Sequence, residues 1–158
     1  MTDPEILLLL EREFGPVPRP AKFTCEDGDQ ECMDHDATLH SWKPETLRLE
    51  DVTHFGHDPW TECLPQGKAY FLPAMARLAL EQGHPYDDWY AGWLGNRLGF
   101  DSQLFEFCST GQRYAILEFL DHLLFTRSEI ADEECCLDDL TKARTHLSHA
   151  IGAGKFTD

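Results

Sequence analysis

The sequence predicts an all-α fold: a single helical domain over residues 1–158, built from five to seven helices. Three observations carry this. Apolar residues recur at three- and four-residue spacing in three long segments: Tyr70, Phe71, Met75, Leu78 and Leu80; Ile116, Phe119, Leu120, Leu123 and Leu124; and Leu137, Leu140, Ala143, Leu147 and Ile151. Helix start and stop signals bracket such segments. No segment sustains the alternation of a strand for more than a few residues. At 158 residues and 42% hydrophobic content, the chain can bury a core without covalent staples.

Taken in order, Asp3-Pro4-Glu5 reads as a helix start, with a capping carboxylate, a proline in the first turn and an acid at the positive end. That helix is expected to stop near Phe14, because "GPVPRP" follows. Residues 15–30 read as a proline-rich, then acidic, loop. A second helix is expected over residues 31–42. Leu47, Leu49 and Val52 predict a short helical turn within a loop. In "LPQGKAYFLPAMARLALEQG", Pro73 predicts a kink or a fresh helix start, and Gly83 a C-terminal cap. Tyr86, Trp89, Tyr90 and Trp93 form one aromatic stripe, for which core packing outweighs an exposed partner surface. "DSQLFEFCS" is a short amphipathic turn or helix. Ser109 and Gln112 have capping-box spacing ahead of the next helix. A last helix is expected over residues 136–151. The expected core is Phe71, Met75, Leu78, Ile116, Phe119, Leu120 and Leu123.

Charge is the unusual quantity. Twenty-nine Asp and Glu face thirteen Lys and Arg, a formal net charge of -16. Such a field repels nucleic-acid phosphates and anionic lipid, and it accelerates encounter with basic partners. The apolar run at residues 6–10 is too short for a membrane span or a secretory core, so a cytoplasmic location is expected. The six cysteines then read as thiols or metal ligands, not as a disulfide framework.

Two acidic stretches stand out. "TCEDGDQECMDHD", residues 24–36, holds two cysteines, a histidine and six carboxylates without a Lys or Arg. "EIADEECCLDD", residues 129–139, holds six more, again without a basic residue. They are either solvated faces or docking surfaces for a cationic protein. The docking reading names Asp27, Asp29, Asp34 and Asp36 in the first stretch, and Glu129, Asp132, Glu133, Glu134, Asp138 and Asp139 in the second.

"CMDHDATL", "GKAYFLPAMARLALEQG" and "QRYAILEFLDHLL" together resemble an uncharacterised family of small bacterial helical proteins, a domain of unknown function. Its pattern is Cys-x-x-Cys-x-x-His-Asp, then a Phe/Tyr-Leu-Pro-Ala helix, then a helix opened by Gln-Arg. The resemblance implies a helical fold from about Phe14 onward and supplies no activity. Here the first motif is widened, with six residues between Cys25 and Cys32.

The catalytic alternatives are thin. His35-Asp36 and His57-Asp58 lack the arrangement of metal-dependent phosphohydrolases, and no nucleophile elbow, phosphate loop or zincin motif is present. Cys108 at a helix start reads as packing material more than as a low-pKa thiol. His146 and His149 suit the negative end of the last helix. No catalytic residue is therefore assigned. The leading expectation is a non-enzymatic acidic binding protein, of the immunity or inhibitor type, masking a basic partner such as a toxin nuclease. The alternative is a zinc protein, structural or hydrolytic, with Cys25, Cys32 and His35 as ligands and Cys63 or Asp36 as the fourth. Cys32 and His35 would share one helix face, and zinc takes sulfur and nitrogen in a tetrahedron.

Overall fold

Thr2 opens the first helix. Its backbone N–H donates to Glu5 Oε2 at 2.7 Å, and its hydroxyl meets the same oxygen at 3.0 Å. The cap is thus one residue earlier than Asp3, and Pro4 falls inside the first turn, where its missing N–H leaves nothing unsatisfied. The computed structural model describes residues 1–25, 28–52, 58–81 and 90–152. Gly83, Tyr86, Trp89, Asp27 and His57 lie outside the described residues.

Ten helices and no strand occur among the described residues: α1 (Asp3–Phe14), α2 (Gln30–Ser41), α3 (Leu49–Val52), α4 (Pro59–Glu62), α5 (Pro65–Glu81), α6 (Tyr90–Phe100), α7 (Ser102–Phe107), α8 (Thr110–Thr126), α9 (Ser128–Glu133) and α10 (Leu137–Gly152). The all-helical expectation holds, but the count exceeds five to seven. The excess comes from short helices of four or six residues, α3, α4, α7 and α9. Side-chain caps create two of them: Asp58 accepts from Trp60 N–H, and Asp101 from Leu104 N–H. Among the described residues, no helix is long and apolar enough to cross a membrane.

Pro73 does not restart α5, which continues as one helix from Pro65 to Glu81. Eleven of its residues are buried, and it packs against α1, α6 and α7. Burial on that scale outweighs the lost backbone hydrogen bond and ring clash of an interior proline, together about 3 kcal/mol. Elsewhere α8 packs against α1, α6, α9 and α10, α10 also against α6 and α9, and α2 against α4. All seven expected core residues are buried, and one apolar cluster runs from Ile6 to Leu147. Of the stripe, Tyr90 is buried and stacks on the half-buried Trp93 with ring centroids 5.4 Å apart, in keeping with the core reading at these two positions. The Ser109–Gln112 capping box forms as expected.

The α6–α10 contact depends on glycine. A Cβ on Gly95 would meet the Leu140 side chain, and one on Gly99 would overlap the Ala143 side chain and backbone. Alanine has the better helix propensity by about 1 kcal/mol, so propensity alone favours Gly99→Ala. Overpacking against backbone wins instead. Gly99→Ala is expected to destabilise by roughly 1–3 kcal/mol in a urea titration. A stabilised variant would mean that α6 and α10 stand further apart.

An ionic clamp joins the start of α1 to the end of α8. Asp3 accepts from Arg127 at 2.6 and 3.1 Å, and from His122 Nε2 at 2.7 Å. The Arg127 hydrogen bonds are the main reason the Asp3 carboxyl is held below its ordinary value, with His122 adding to them and burial opposing. A lowered folded-state pKa contributes stability above the unfolded value, near pH 4, and the contribution fades as pH falls through the folded value. Asp3 is partly exposed, so Asp3→Asn should cost about 1–2 kcal/mol at neutral pH. The gap between wild type and variant should close below about pH 4. A gap of equal size at about pH 7 and about pH 2 would rule the clamp out.

Candidate functional site

The first acidic stretch is organised around α2. Asp29 caps the helix by accepting from Cys32 N–H at 3.1 Å. Asp36, one of the residues expected on a docking face, turns toward the preceding segment instead. Its Oδ1 accepts from Phe23 N–H at 2.8 Å and Thr24 N–H at 3.2 Å, and its Oδ2 lies 3.4 Å from His40 Nε2. Thr24, itself buried, donates its hydroxyl to the Cys32 carbonyl at 3.0 Å. These bonds lay residues 23–25 against the first two turns of α2. Asp34 stays exposed and accepts from Gln30 at 2.9 Å.

That tether brings Cys25 and Cys32 together, with their sulfurs 3.9 Å apart. Glu62 of α4 joins them, its Oε2 3.7 Å from Cys32 Sγ. Gly28 passes directly over the pair: a Cβ there would run into Cys32 and sit 3.1 Å from Cys25 Sγ. The Cys32 thiol is pushed up to about 11, first by burial, then by hydrogen bonding and charge from Cys25, then by Asp29 and Glu62.

The four residues of the expected zinc set are not gathered. His35 is buried, with Nε2 3.5 Å from Glu31 Oε1. Cys63 is a core residue whose Sγ donates to the Leu64 carbonyl at 3.6 Å and packs below Gly67. Burial raises its thiol to about 12, which opposes the thiolate a metal requires. Among the described residues, no group of three or more His, Cys, Asp or Glu side chains is arranged to hold a metal ion. Cys108 is likewise buried, its thiol pushed up to about 12 by burial, as packing material should be. His146 bonds through Nδ1 to the Gly99 carbonyl at 2.9 Å, which ties α10 to the end of α6.

The second acidic stretch spans α9, a tight turn and the start of α10. Glu129, Asp132, Glu133, Asp138 and Asp139 are exposed, while Glu134 is half-buried. Asp139 pairs with Lys142 at 3.5 Å. The turn is fixed by Cys135, which adopts a left-handed conformation at φ 56°. Its N–H donates to the Asp132 carbonyl at 3.1 Å and that of Cys136 to the Ala131 carbonyl at 2.8 Å, the double bond pattern that closes a helix C-terminus. Ala131 is fully buried and anchors α9.

Sequence reasoning missed three parts of the cysteine site: Thr24, Gly28 and Glu62. Glu62 is thirty positions from Cys32 and left no local signal. Gly28 did leave one, because a glycine between two nearby cysteines marks a place where backbone must approach side chains closely. No family model, no curated protein and no solved structure matches the chain.

Proposed function

We propose that this chain is a non-enzymatic binding protein whose acidic α9–α10 segment docks a basic protein. The observation that supports this reading is the exposure of five carboxylates within residues 129–139, on a backbone held by a closed turn and a buried anchor. Fixed charges lose little freedom on binding, which favours association. The formal net charge of -16 extends the attraction beyond the contact itself. The phosphate-binding surface of a toxin nuclease is one partner surface with the required charge, and masking it would make this an immunity-type inhibitor. Residues 24–36 suit docking less well, because Asp29 and Asp36 serve the α2 cap and the adjoining segment.

The test compares cross-linked captures from a native extract by wild type and by a variant carrying Glu129→Gln, Asp132→Asn, Glu133→Gln, Asp138→Asn and Asp139→Asn. Wild type should recover a basic protein at about equimolar yield, and the variant should recover at least about tenfold less while keeping its helical circular dichroism. Equal recovery by a folded variant would move docking away from α9–α10.

A further inference from the structure

We propose that Cys25 and Cys32 are a reversible modification site, closing to an intramolecular disulfide when the protein meets a small-molecule disulfide such as oxidised glutathione. The geometry is prearranged. The sulfurs are 3.9 Å apart, against about 2.05 Å in the bond, so side-chain rotation and a small shift of the Cys25 backbone close the gap. The backbone on the Cys25 side is already held to α2 by the Thr24 hydroxyl on the Cys32 carbonyl and by the Thr24 N–H on Asp36. Gly28 leaves room over both sulfurs that any side chain would fill.

Exposure sets the order of events. Cys25 is exposed and Cys32 half-buried, so the oxidant meets Cys25 first. The Cys25 thiolate attacks one sulfur of the oxidant, whose S–S bond breaks and releases one thiolate. The Cys32 thiolate then attacks the Cys25 sulfur, forming the internal bond and expelling the second thiolate. The two protein thiol protons pass through water to the released thiolates. The protein loses two electrons, and the oxidant is reduced to two thiols. The raised pKa of the Cys32 thiol slows the second step, but its sulfur is held 3.9 Å from that of Cys25, so at equilibrium the mixed disulfide gives way to the internal bond. Cys63 and Cys108 are buried, whereas Cys135, exposed beside the half-buried Cys136, is the competing thiol.

The test equilibrates the reduced protein with glutathione redox buffers, alkylates the remaining thiols and maps the peptides. The expected product is one Cys25–Cys32 link without retained glutathione, fully reversed by excess reductant. Cys32→Ser should keep glutathione on Cys25, and a variant with both Cys135→Ser and Cys136→Ser should form the Cys25–Cys32 link as wild type does. Three results would overturn the proposal: free thiols at Cys25 and Cys32 in the most oxidising buffer, glutathione persisting on wild-type Cys25, or a link that uses any other cysteine in their place.

Discussion

Asp101→Ala is expected to lower the unfolding free energy by about 3–5 kcal/mol, because it strands a buried cation. Lys68 Nζ donates to Asp101 Oδ2 at 2.6 Å, and the two side chains are only 9% and 13% exposed. The Trp60 ring centroid lies 6.0 Å from Lys68 Nζ, at the limit of a cation–π contact, which is too weak to replace that carboxylate. Asp101 has a second task, as its Oδ1 accepts from Leu104 N–H at 2.9 Å and caps α7. Asp101→Asn separates the two tasks, since Asn caps about as well as Asp but carries no charge. Asn should therefore keep the cap and still lose most of the ion-pair contribution. Adding Lys68→Met to Asp101→Ala should recover part of the loss, because it removes the stranded charge. Urea titrations of the four proteins measure all of this, and an Asp101→Ala cost below about 1 kcal/mol would mean that water reaches Lys68 freely.

Leu120→Ala should cost roughly 2–5 kcal/mol by a different route, the cavity it opens. Leu120 is fully buried in α8, the helix that packs against α1, α6, α9 and α10. Its Cδ2 lies beside Gly95, so the space it leaves borders the tight α6–α10 contact. With α6 and α10 already touching through glycine, those helices have little room to collapse inward. Leu120→Met, which nearly conserves volume, should cost less than about 1.5 kcal/mol. Equal effects of the two substitutions in thermal unfolding would place Leu120 in a loosely packed region.

What the sequence made legible was whatever rests on local chemistry or on a sustained period. The capping box at Ser109 and Gln112 and the buried face of α8 follow from spacing alone. So does α1, apart from the shift of its cap from Asp3 to Thr2. Asp58-Pro59 carries the signal that the sequence reading takes at Asp3-Pro4, and here Asp58 does cap, yet the four-residue α4 is too short to show a period. Pro73 starts no fresh helix because tertiary burial of α5 overrides a local penalty. The candidate site was half legible. Cys25 and Cys32 were flagged as a pair, and the structure places them together. Their neighbours were not legible, because His35 and Cys63 are claimed by the core and Glu62 arrives from a distant helix. Asp36 looked like one more surface acid, since its two backbone donors come from thirteen and twelve residues upstream.

The proposed acidic docking face is tested most directly by the association rate of whichever basic protein the capture recovers, measured against ionic strength with wild type and with the five-carboxylate variant. Rim charges act chiefly by steering, so they govern encounter more than lifetime. The wild-type rate should fall at least about tenfold between about 0.01 M and about 0.5 M salt, as the screening length contracts. The variant should start slower and depend on salt less, so that the two rates converge at high salt. Equal rates for the two proteins at low salt would contradict a docking face on α9–α10.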